Sequence, residues 1–196
     1  MSTNAEKSNI WLINELMDSD LSKALPGLTL QNKCKIAKDV ARAMKYLHSL
    51  NPPVLHRDLK ASNVLLKKDG TTKVCDFGVS RLLPTEFSNQ VSQDAGTLAY
   101  MANEVWIEGI FTPKSDVYSY GILLIELFTG ERPFKTSITL ILEFLEKMKN
   151  REITVEIPTD EEIPVVFREL MEKCTLWERE QRPSFEEVFD TLKHSK

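Results

Sequence analysis

Leu55-His56-Arg57-Asp58-Leu59-Lys60-Ala61-Ser62-Asn63, followed by Asp76-Phe77-Gly78, is the stretch on which the reading of this chain turns. Two carboxylates, an amide and a lysine lie within it. Between the two motifs, Val64-Leu65-Leu66 and Thr72-Lys73-Val74-Cys75 read as short strands joined by a turn at Lys68-Asp69-Gly70. Such a hairpin sets Asn63 and Asp76 at neighbouring strand ends, where their oxygens can converge on one ligand.

Outward from this centre the periodicity turns helical. Thr29 to Leu50 reads as a helix, because Ile36, Val40, Met44 and Leu47 recur at near-helical spacing with lysines and Asp39 on the other face. Asn51-Pro52-Pro53 ends it, since proline can neither continue a helix nor leave the preceding residue free. Lys114 to Phe128 is apolar on nearly every side, as suits a helix buried in mid-domain, with Gly130 as its C-terminal cap. Ile138 to Met148 and Pro164 to Leu176 read as amphipathic helices. Ser184-Phe185-Glu186-Glu187 opens the last helix with a capping box, and Phe185, Val188, Phe189 and Leu192 form its inner stripe. The fold class is therefore α+β and mainly α-helical, with a short hairpin carrying the site.

Composition narrows the function. A chain of 196 residues suits one domain with a substantial core. Its net charge of −4 gives no basic footprint for nucleic acid or an anionic membrane. Cys34, Cys75 and Cys174 have neither metal-ligand nor paired spacing, which fits a reducing interior. The polar segment from Met1 to Asn9 has no apolar core of a signal peptide, and the apolar run from Gly121 to Phe128 contains Glu126 and is too short to span a bilayer. A cytoplasmic location is expected, with the nucleus as the alternative.

The loop and triplet, at this spacing, resemble those of the eukaryotic protein kinases. Lys60 and Thr97 are similar to the Ser/Thr-type pattern, while Ser115-Asp116-Val117-Tyr118-Ser119-Tyr120-Gly121 is similar to the tyrosine-kinase-like group. The resemblance runs from about Ile10 to the C-terminus. It implies an enzyme that moves the γ-phosphate of ATP-Mg²⁺ to a protein Ser/Thr hydroxyl. Asp58 would accept the hydroxyl proton, Lys60 would offset charge on the moving phosphoryl group, and Asn63 and Asp76 would hold the metal. Ile10 to Met17 resembles the last strand of the N-terminal lobe running into the hinge, with Asn14 at the gatekeeper position, Glu15 and Met17 beside the nucleotide, and Leu65 beneath the adenine.

The same resemblance assigns supporting roles. His56 and Phe77, next to Gly78, would link the loop to the metal triplet, and Asp116 would hydrogen-bond the loop backbone; an aspartate that merely caps its helix is the plainer reading. Arg57 marks kinases whose phosphorylated activation segment docks on it, with Ser92 as a candidate regulatory site. Cys75 reads as a small buried hydrophobe. Glu104 would pair with Arg182, although Ala102-Asn103-Glu104 carries Asn103 where the family has proline.

No Gly-x-Gly-x-x-Gly loop and no lysine in a Val-Ala-x-Lys context occurs in the chain. The expected organisation is therefore a flexible N-terminus at 1–9, then hinge and C-lobe at 10–196 without the N-lobe. Little activity is expected of these residues alone. An inactive kinase-like module that binds other proteins is the second reading, with self-association or a covering partner expected at the hinge face.

Overall fold

The computed structural model describes residues 14–76, 98–134 and 141–194. Its elements in chain order are β1 (Ser19–Asp20), α1 (Leu21–Ala24), α2 (Leu30–Ser49), β2 (Val64–Leu66), β3 (Thr72–Val74), α3 (Asn103–Glu108), α4 (Pro113–Thr129), α5 (Ile141–Lys149), α6 (Val165–Cys174) and α7 (Phe185–His194).

Helix α4 is the axis of the core. Thr112 and Ser115 cap its start reciprocally, Pro113 takes the first turn, and Gly130 ends it in the left-handed conformation (φ 77°), donating to the Glu126 carbonyl at 2.8 Å. Its residues from Ser115 to Phe128 are all buried, so the all-round apolar pattern reflects neighbours on every side. Helix α6 approaches so closely that a Cβ on Gly121 would meet Thr175 Cγ2 at 2.7 Å and Cys174 Cβ at 2.9 Å. Glycine is what lets the two helices touch there.

Helix α2 begins at the Thr29 cap, whose hydroxyl accepts from Asn32 N, and buries Ile36, Ala37, Val40, Ala41 and Met44. It packs on α7, where Lys45 lies over the Phe189 ring at 5.4 Å, and on α4, where the Tyr120 hydroxyl donates to the Ala37 carbonyl at 2.9 Å. Ser184 and Glu187 form the expected capping box: Glu187 N donates to Ser184 Oγ at 3.2 Å and Ser184 N to Glu187 Oε2 at 2.7 Å.

The hairpin is present but is not alone. Val64 pairs with Val74 and Leu66 with Thr72, and a third strand, β1, pairs antiparallel with β2 through Ser19–Leu66 and Asp20–Leu65. The sequence placed extended structure earlier, through Ile10 to Met17. Residues 14–17 have no regular structure and 10–13 lie outside the described residues. Ser19 and Asp20 carry no strand-like apolar signal; they are held extended by pairing to β2 and by Asp18, whose N–H donates to the Leu66 carbonyl at 3.0 Å. The short helix α3 was also not read from sequence, and the helix expected at Ile138 to Met148 is described from Ile141 to Lys149.

Candidate active site

The loop 55–63 is shaped by one buried carboxylate. Arg57 takes a left-handed backbone conformation (φ 67°), which costs a non-glycine residue about 1–3 kcal/mol and has to be imposed by its surroundings. Asp116, 1% exposed, imposes it: Oδ2 accepts from His56 N and Oδ1 from Arg57 N, each at 2.8 Å. This aspartate therefore grips the loop backbone and does more than cap its helix.

His56 joins the loop to the end of β3. Its Nδ1 accepts from Asp58 N at 3.3 Å, which leaves Nε2 to donate to the Cys75 carbonyl 3.0 Å away. The ring is thus a fully buried strut between the two segments. Cys75 N in turn donates to the Asn63 carbonyl at 2.9 Å, so Asp76 and Asn63 stand at adjacent chain ends, as the hairpin reading required. Asp76 shares the left-handed conformation (φ 67°). Cys75 is half-buried; burial pushes its thiol pKa up, and the Asp76 and Asp20 charges push it further.

Asp58 is held on one side only. Its Oδ2 accepts from Asn63 Nδ2 at 2.9 Å and lies 3.1 Å from Lys60 Nζ, and Asn63 Nδ2 also donates to the Asp58 carbonyl at 2.8 Å. Asp58 Oδ1 is buried and has no hydrogen-bond partner. A buried carboxylate oxygen without a donor is costly and calls for an explanation. Because Asn63 spends its N–H₂ on Asp58, its Oδ1 is left on the opposite edge of the amide. An amide oxygen and a carboxylate are the hard oxygen donors that Mg²⁺ takes while keeping most of its waters. Among the described residues no cluster of three or more His, Cys, Asp or Glu side chains could hold a metal.

The nucleotide-side residues are only partly gathered. Leu65 is half-buried in β2 and Met17 half-buried before β1, whereas Glu15 is exposed and turned onto the hairpin, paired with Lys67 and, at 3.5 Å, with Lys73. Those lysines hold the Glu15 carboxyl below the ordinary carboxylate range. Phe77, Gly78, Ser92 and Thr97 lie outside the described residues.

Away from the loop, Glu104 and Arg182 meet. Arg182 Nη1 and Nη2 reach the two Glu104 oxygens at 2.8 and 2.9 Å. Asn103 has a role that its sequence position hid: its Oδ1 accepts from Arg182 Nη2 at 2.7 Å and its Nδ2 donates to the Trp177 carbonyl at 3.2 Å. Where proline could offer only a ring, the asparagine binds both partners. Two further residues went unread. The Tyr100 hydroxyl donates to Glu126 Oε2 and accepts from Ala61 N at 3.3 Å, tying α4 to the loop 55–63. A charged residue within an otherwise apolar helix run was the available signal for Glu126.

The chain matches the protein kinase domain over residues 1–192 and belongs to that family. It is 35% identical over 189 residues to the dual specificity protein kinase shkA of Dictyostelium discoideum, covering 93% of this chain and 35% of that protein. To the serine/threonine-protein kinase CTR1 of Arabidopsis thaliana it is 39% identical over 172 residues, covering 88% and 20%. To wall-associated receptor kinase-like 3 of the same plant it is 34% identical over 171 residues, covering 82% and 23%. The chain thus spans between a fifth and about a third of these relatives' lengths. Among the described residues no helix is long and apolar enough to cross a membrane.

Proposed function

We propose that this chain carries the catalytic loop and metal ligands of a serine/threonine protein kinase, with Asp58 as the acceptor of the substrate hydroxyl's proton. The unpartnered Asp58 Oδ1 carries this reading: Oδ2 is immobilised by Asn63 and Lys60, which aims the remaining oxygen and leaves it to receive a donor. Lys60, beside it, would offset charge on the phosphoryl group in transit. Asn63 Oδ1 and Asp76 would hold Mg²⁺, whose chemistry is to neutralise the phosphates of ATP. The hinge side of Leu65 and Met17 would receive the adenine. Relatives named as Ser/Thr kinases and Lys60 at its loop position favour Ser/Thr over Tyr.

The 196 residues supply no glycine-rich cover for the phosphates, so these residues alone are expected to turn over far more slowly than the roughly 1–100 s⁻¹ of kinases. Leu16, 88% exposed beside the nucleotide side of the site, fits a face that other protein covers when the site works. Transfer of labelled γ-phosphate to a generic protein substrate tests the assignment. Label on Ser or Thr, abolished by Asp58→Asn, supports it; label on Tyr, or transfer indifferent to Asp58→Asn, overturns it.

A further inference from the structure

A cavity of about 210 Å³ opens between α4, the end of α5 and the chain that follows α6. Tyr118 of α4, Met148 of α5, and Leu176 and Trp177 beyond α6 form its inner walls, and the segment 153–157 closes it on the outside. That segment is neither helix nor strand. Yet Ile153, Val155 and Ile157 pack on the core while Glu152, Thr154 and Glu156 are exposed, the period of two that marks an extended chain. Glu152 N donates to the Lys147 carbonyl at 2.9 Å and Ile163 N to the Asp160 carbonyl at 3.2 Å; between them, no backbone group of 153–159 bonds to another backbone group among the described residues. Side-chain packing is what holds this wall over the cavity.

Most polar groups around the space are already spent. Asn103 gives its Oδ1 to Arg182 and its Nδ2 to the Trp177 carbonyl, and Thr175 Oγ1 donates to the Met171 carbonyl at 2.7 Å. Thr154 and Glu172 are exposed at the rim. Tyr118 is the exception: it is 4% exposed, yet its hydroxyl makes no hydrogen bond with any described residue. That oxygen is not sealed in, and the space it meets is this cavity. Burial raises the phenol above its ordinary pKa, so it is a neutral donor. A buried donor without an acceptor is costly. Water answers it poorly, because an ordered water needs about two to four polar partners and the inner walls offer mainly carbon.

From this arrangement we propose that the cavity is a binding site for a small uncharged aromatic molecule carrying one acceptor oxygen, its ring against Met148, Val155 and Trp177 and its oxygen on the Tyr118 hydroxyl. An apolar cavity of about 150 Å³ holds benzene, so 210 Å³ admits a ring with a short substituent. A charged ligand is disfavoured because the inner walls would leave its charge unpaired, and Glu172 at the rim repels an anion. No residue of the phosphoryl-transfer reading takes part, so the site stands or falls independently of it.

Acetophenone is the probe, since it joins one ring to one carbonyl; isopropylbenzene has a similar outline without the acceptor, and benzoate adds a charge. Titrated into the chain and read by methyl NMR, acetophenone should shift Met148, Ile153 and Val155. It should bind about fivefold more tightly than isopropylbenzene, the ratio expected of one neutral hydrogen bond. Tyr118→Phe keeps the ring that Arg182 lies over and removes the hydroxyl. It should bring acetophenone down to the level of isopropylbenzene and leave isopropylbenzene unchanged. Val155→Trp fills the cavity and should abolish binding of both. No saturable shift at these methyls, a benzoate affinity equal to that of acetophenone, or shifts centred on Leu65 and Met17 instead overturns the proposal. So does Tyr118→Phe binding acetophenone as tightly as the parent. If Val155→Trp fails to fold, the Tyr118→Phe comparison decides alone.

Discussion

Arg182 and Glu104, distant in sequence, meet in two parallel hydrogen bonds of 2.8 and 2.9 Å with both side chains out of water. Around them Arg182 also donates to the carbonyls of Lys114, Leu176 and Trp177 and lies over the Tyr118 ring at 5.0 Å. The pair locks helix α3 to the segment preceding α7. Removing one partner strands a buried charge, so Arg182→Met or Glu104→Leu should each cost about 3–5 kcal/mol. The double variant should cost less than the sum of the two. Denaturant unfolding of the three proteins measures this, and strict additivity would mean that the charges do not depend on each other.

Asn103 makes a sharper case, because the family's proline can be put back. Asn103 is the first residue of α3, where proline is well tolerated by the backbone. Asn103→Pro nonetheless removes the acceptor for Arg182 Nη2 and the donor to the Trp177 carbonyl, and should destabilise by about 1–3 kcal/mol. A melting temperature equal to or above that of the parent would show that these bonds contribute nothing.

Glu126 gives a pH dependence of defined sign. Burial raises its carboxyl above the ordinary value of 4.5, and the Arg132 charge offsets only part of that. Between 4.5 and the raised value the folded chain binds more protons at this site than the unfolded chain. The stability that this contributes is complete below the window and is lost as pH rises through it. Glu126→Gln has no such proton to lose, so its stability relative to the parent should increase with pH above about 4.5. Urea titrations of both proteins across that range decide it: a constant or falling difference contradicts the assignment.

Much of this was legible in the sequence because the signals were local. Helix α2 announces itself through Ile36, Val40 and Met44, and its stop through Pro52 and Pro53; the hairpin that aligns Asn63 with Asp76 follows from two short apolar runs around a glycine turn. What stayed hidden depends on contacts far apart in the chain. Asp20 sits in a strand only because β2 lies beside it. His48 looks like one more polar residue at the end of a helix until α4 brings Asp116 to it. Asn103 reads as a departure from a motif, yet Arg182 and Trp177 make it a working part of the lock.

The metal-dependent phosphate site proposed at Asn63 and Asp76, next to Asp58, is tested most directly by calorimetry of ATP binding to this chain. Two hard oxygens that would otherwise repel the triphosphate require Mg²⁺ between them and the nucleotide. A binding signal is expected in Mg²⁺ that disappears in EDTA and in Asp76→Ala while the fold is kept. ATP binding of equal strength with and without the metal, or undiminished in Asp76→Ala, would contradict it.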